Sequence, residues 1–173
     1  MKALFSRSLW LRAGGLATLL AVCSAVVHPF SLPQQVDIHS PPGDELQLPP
    51  AVASVLNRSC IDCHSNHTVW PWYSHVAPLS WLIERDVRGG RDRLNLSEWH
   101  RYTLQQRAKL LADIASAVKN REMPLPQYTL VHRQARLSDA ETDIVYAWAR
   151  AQRRTLKATS GFVKPAAQFT LDR

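Results

Sequence analysis

The chain has 173 residues, with 21 Lys and Arg against 14 Asp and Glu and a formal net charge of +7. That length suits one domain with extensions; without its N-terminal segment roughly 145 residues remain, enough to bury about 68–70% of the chain surface. The basic balance suits an acidic partner or a membrane surface. No basic run is interleaved with aromatics, so nucleic acid is set aside as a partner.

Residues 1–27 begin with Lys2, Arg7 and Arg12 ahead of an apolar run from Ala13 to Val27. A basic stretch before a run of that length predicts a signal peptide or an N-terminal membrane anchor. The basic residues on its near side place the remainder on the periplasmic side of the bacterial inner membrane, anchored or released after cleavage. Residues 28–50 contain six prolines, which predicts an extended linker over 28–48.

From residue 49 to about 156 the pattern is helical throughout. Val52, Val55, Leu56, Ser59, Cys60 and Cys63 share one face of a first helix. Leu79, Leu82, Ile83 and Val87 mark a second, expected to end near Gly89-Gly90. Leu104, Ala108, Leu111, Ala115 and Val118 form the clearest helical series. Ser138-Asp-Ala-Glu141 is a capping-box signature opening a fourth helix, with Ile144, Val145 and Trp148 inward. Residues 157–173 show no periodicity and read as a loose tail. The expectation is an all-α domain.

The chemistry concentrates at Cys60-Ile-Asp-Cys63-His64. This is C-x-x-C-H, the attachment signature of a c-type haem. Cysteines three apart on a turn can both reach the vinyl groups of one haem edge, and the adjoining imidazole can face the iron. A redox disulfide between the thiols is a competing reading, but such sites sit in a βαβ setting that this pattern lacks. A zinc site drawing on Cys63, His64 and His67 is another, with ligands too crowded for tetrahedral closure.

An iron held by His64 alone has an open face. Apart from the initiator, Met123 is the only methionine in the chain. It follows the clearest helix in Met123-Pro124-Leu-Pro126, where the prolines end the helix and stiffen the loop. Thioether sulfur favours Fe(II) and raises the reduction potential. Met123 is therefore the expected distal ligand and His64 the proximal one. His67, His75 and His132 are rival ligands, expected to be surface or hydrogen-bonded groups. Trp70, Trp72 and Tyr73 are expected to pack on the haem. A carbonyl of Pro71 or Pro78 is a candidate acceptor for the second ring N–H of His64. Arg85, Arg88, Arg91 and Arg93 read as a solvated face ahead of a propionate clamp.

The segment CIDCHSNHTVWPWYSHVAPLSWLIERDVRGGRDRLNLSEW resembles the bacterial haem-binding domain family, with its C-x-x-C-H-S-N-x-T-x-W-P-W-Y pattern followed by A-P-x-S-W and L-N-x-S-W. The later segment MPLPQYTLVHRQARLSDAETDIVYAWA resembles the M-P-x-x-x-Y-x-x-x-H-x-x-A-x-L-S ending. The resemblance covers about residues 36–155 and departs by one extra residue between Asn95 and Trp99. It implies a cytochrome c-like domain of about four helices around one covalently bound haem, often preceded by a membrane segment. Cys60, Cys63 and His64 match the family's motif directly, and Met123 matches its distal position.

The expected function is a monohaem c-type cytochrome passing single electrons to redox protein partners, with acidic ones suited to its basic charge and haem c as its cofactor. Six-coordinate iron leaves no site for substrate, so no enzymatic activity is expected. The alternative is a gas or redox sensor, or a peroxidase-like protein, with a displaceable distal ligand. A haem-free thiol protein is a third, weaker class.

Overall fold

The structure is a computed structural model that describes residues 2–26, 46 and 48–162. All its regular elements are helical, as expected, and no strand occurs among the described residues. The helices are α1 (Lys2–Val26), α2 (Pro50–Ser59), α3 (Ile61–His64), α4 (Leu79–Arg93), α5 (Leu104–Lys119), α6 (Pro126–Val131) and α7 (Asp139–Phe162). Short 3-10 turns cover Trp72–His75, Leu96–Arg101 and Arg133–Ala135. The four expected helices are α2, α4, α5 and α7, and α1, α3 and α6 are additional.

Trp10, Leu11, Leu16, Leu19, Leu20 and Val22 of α1 are all exposed. Among the described residues no helix is long and apolar enough to cross a membrane, so the signal or anchor reading rests on the sequence. Most of the expected Pro-rich linker lies outside the described residues.

The core forms where α5 and α7 pack along each other, the most extensive helix pair in the fold. Leu111, Ala115 and Val118 of α5 meet Val145, Trp148 and Ala149 of α7, and Val52, Val55 and Leu56 of α2 join them. The i, i+4, i+7 spacing on α5 aligns its apolar side chains on one stripe, and burying that stripe is what stabilises the helix. Leu104 and Ile144, also expected inward, are exposed. Both long helices start with reciprocal caps. The Thr103 hydroxyl accepts from the Gln106 N–H while the Gln106 side chain accepts from the Thr103 N–H. Ser138 and Glu141 do the same for α7. Each pair satisfies two N–H groups that the helix itself cannot.

Two expectations are corrected. Helix α7 runs to Phe162, so the first residues of the supposed tail are helical; 163–173 lie outside the described residues. Helix α4 continues through Gly89-Gly90 to Arg93, and it buries Ser80, Glu84, Val87 and Gly90. Leu79 stays 48% exposed. Its inward face is partly polar, so apolar periodicity misplaces it.

Candidate functional site

Cys60 ends α2 and begins α3. Its N–H donates to the Leu56 carbonyl at 2.9 Å, and its own carbonyl accepts from the His64 N–H at 2.9 Å. Its backbone leaves helical angles at φ −129°, so α3 is a fresh turn that carries Cys63 and His64. Helix α4 crosses this turn closely at Gly90, where a Cβ would lie 2.5 Å from the Cys63 carbonyl oxygen.

That crossing brings the residues after α4 against His64. Its Nδ1 lies 3.0 Å from the Leu94 carbonyl oxygen. A carbonyl only accepts, so Nδ1 carries the proton and Nε2 keeps its lone pair. The acceptor is Leu94, not Pro71 or Pro78, whose carbonyls accept from the N–H groups of Ser74 and Leu82. Burial holds the imidazole pKa below its ordinary value, opposed by its hydrogen bonds to the Leu94 and Gly90 backbone.

Both thiols are free. Burial pushes them up to about 12, reinforced at Cys60 by the neighbouring Cys63 and at Cys63 by the Asp62 and Asp86 carboxylates. Thiol oxidoreductases need the reverse, a thiol lowered toward neutrality. The zinc reading also lacks its geometry: among the described residues no three His, Cys, Asp or Glu side chains converge as for a metal ion.

Two adjoining cavities, of about 420 and 580 Å³, flank the turn and share Cys60, His64, Arg93 and Met123. Leu56, Leu94, Leu96, Ile114 and Val118 wall the larger one. Cys63, Gly90, Leu125 and Tyr128 line the smaller. Each is in the size range of small-molecule and cofactor sites.

Met123 reaches the shared wall through a tight reversal after α5. Arg121 adopts φ 60°, and the Glu122 N–H returns to the Ala117 carbonyl at 2.9 Å. This is the left-handed stop that closes many helices, occupied here by a residue other than glycine. The Arg121 guanidinium donates to the Leu137 carbonyl at 3.0 Å and to the Asp139 carboxylate. The loop is thereby tied to the start of α7.

The expected aromatic packing is not where the cavities are. Trp72 is 78% exposed, and neither Trp70, Trp72 nor Tyr73 lines either space. Aliphatic side chains from α2, α5 and the Leu94–Leu96 segment wall the larger cavity, and residues of α4 and the Met123–Tyr128 stretch line much of the smaller. Among the histidines, His75 is exposed and neither His67 nor His132 lines either of these two cavities. His132 is fully engaged: Nδ1 donates to the Tyr128 carbonyl at 3.2 Å, and Nε2 accepts from the Tyr73 hydroxyl at 3.1 Å.

The separated motif blocks meet through hydrogen bonds. The Asp62 carboxylate, inside the cysteine turn, accepts from the Tyr128 hydroxyl at 2.7 Å and from the Val69 N–H at 3.1 Å. Tyr128 stacks on His132 with ring centroids 4.3 Å apart. Arg91 leaves the expected solvated face. It donates to the Ser65 carbonyl at 2.8 Å and the Thr68 hydroxyl at 2.9 Å. Asn66 accepts from Asn95 at 2.8 Å and takes the Ser97 hydroxyl on its N–H at 3.0 Å.

Compared with known protein families, residues 19–151 match the haem-binding domain. The chain belongs to the haem-binding domain family. No curated protein and no solved structure matches it. The residues present fit this cofactor. The haem-binding domain offers two protonated thiols three residues apart, an imidazole whose Nε2 lone pair is kept available by Leu94, one thioether on the same wall, and apolar sides.

Proposed function

We propose that this haem-binding domain is a monohaem c-type cytochrome that carries single electrons on the periplasmic side of the bacterial inner membrane. The observation that carries this reading is that Cys60, His64 and Met123 line both adjoining cavities, although Met123 is remote from the cysteine turn in sequence.

In this reading Cys60 and Cys63 hold the haem by thioethers. Their two Sγ atoms would be the points of attachment, and thioether formation there would consume no oxidant. His64 presents Nε2 to the iron, with Leu94 fixing the ring, and Met123 presents its sulfur from the braced loop. Bound there, haem supplies a one-electron Fe(III)/Fe(II) couple. With His64 and Met123 as its two protein ligands the iron would keep no position for substrate, which supports an electron carrier over an enzyme. The cytochrome c-like fold, export by the N-terminal segment and acidic redox partners belong to the same proposal; the last is supported by the net charge of +7.

Absorption spectra of protein matured with a cytochrome c assembly system test the ligation. The ferric form should show the weak sulfur-to-iron charge-transfer band, lost in Met123→Ala, and the ferrous form should resist carbon monoxide. Ready carbon monoxide binding by the unaltered protein would replace the carrier with a sensor or peroxidase-like role.

A further inference from the structure

We propose that Arg93 is a carboxylate-binding residue that takes a propionate of the haem, an inference that rests on the haem-cleft reading above. Arg93 is the cation that lines both cavities. The other cations at these walls are already engaged: Arg85 pairs with Asp86 at 3.0 Å, and Lys109 with Asp113 at 2.6 Å. Among the described residues no carboxylate pairs with Arg93. It directly precedes Leu94, the residue that orients the His64 ring, so the guanidinium and the imidazole are set by the same stretch of backbone.

The chemistry of the ligand calls for such a group. Haem is an apolar macrocycle with two carboxylates on one edge, so a cleft with aliphatic walls needs a cation at its rim. A guanidinium presents paired N–H donors that match a carboxylate, and charge-assisted pairs are the stronger hydrogen bonds. Arg93 stands on the exposed side of α4, where holding it free costs little desolvation. An acidic side chain of a redox partner offers the same carboxylate chemistry, and the test separates the two sources.

Iron mesoporphyrin, whose vinyl groups are reduced to ethyl groups, cannot form thioethers and reports non-covalent affinity in the full apo chain. Titration with this compound and with its dimethyl ester should show about a tenfold preference for the free acid. Arg93→Gln should remove the preference while leaving ester affinity unchanged, and Arg93→Lys should keep part of it. A thermal melt matching that of the unaltered chain would show that the variant folds. Equal affinity for acid and ester in the unaltered chain, or equal weakening of both by Arg93→Gln, would overturn the assignment and leave Arg93 to a partner's carboxylate. Binding of neither porphyrin would sink the haem cleft itself.

Discussion

At Gly90 only a hydrogen separates α4 from the cysteine turn. A methyl group there would lie 2.5 Å from the Cys63 carbonyl oxygen and 3.2 Å from the Cys63 Cβ, whereas at Gly89 nothing lies within 4 Å. The neighbours therefore make a paired test. Gly89→Ala should stabilise the fold by about 0.5–1 kcal/mol, because alanine is the better helix residue. Gly90→Ala should destabilise it by about 1–3 kcal/mol, because backbone must move to admit the methyl group. Urea denaturation of the two variants measures both signs; equal stabilisation would mean that α4 does not sit this close. As candidates, Cys60, Cys63, His64 and Met123 stand out in the sequence, since spacing and scarcity mark them. Gly90, Leu94 and Arg93 are not, because their roles arise only where α4 crosses the turn.

Among the elements, α5 and α7 follow directly from apolar periodicity and caps. The Ser138–Glu141 box is visible in sequence, and the Thr103–Gln106 box has the same four-residue signature. Helix α4 hides its extent, because a Gly-Gly pair resembles a stop and buried Ser80 and Glu84 break the apolar stripe. The α7 cap also yields a pH prediction. The Glu141 carboxyl is held down to about 2, first by the Ser138 N–H and then by Arg58. Its pKa is depressed on folding, so its stabilisation is present above the ordinary carboxylate value near 4.5 and is lost as pH falls toward 2. The Arg58 pair is partly exposed, so solvent screens it and most of the effect comes from the helix terminus. Glu141→Gln should cost roughly 0.5–1 kcal/mol at neutral pH, with the difference closing by about pH 2. Thermal melts across that range check it, and a gap that persists at low pH would count against the assigned cause.

At the scale of the whole molecule, the motif blocks that are scattered along the chain serve one site. The Asp62–Tyr128 hydrogen bond joins the cysteine turn to α6, whose entry loop carries Met123, and the Tyr73–His132 bond joins the tryptophan loop to the residue that follows α6. Arg91 and Asn66 fasten the loop after His64. The tryptophan-rich stretch reads as haem cover in sequence because aromatics usually cover a cofactor, yet Tyr73 works through His132 and Trp72 faces outward. Only the packing of α2, α5 and the Leu94–Leu96 segment shows that aliphatic side chains wall the larger cavity. The central claim is that Cys60 and Cys63 attach the haem that His64 binds. Peptide mapping of the matured chain after acid–acetone extraction tests it most directly. Haem should remain on the peptide carrying Cys60, Cys63 and His64, and should be absent when both cysteines are replaced by alanine. Complete extraction of the haem, with that peptide recovered unmodified, would contradict it.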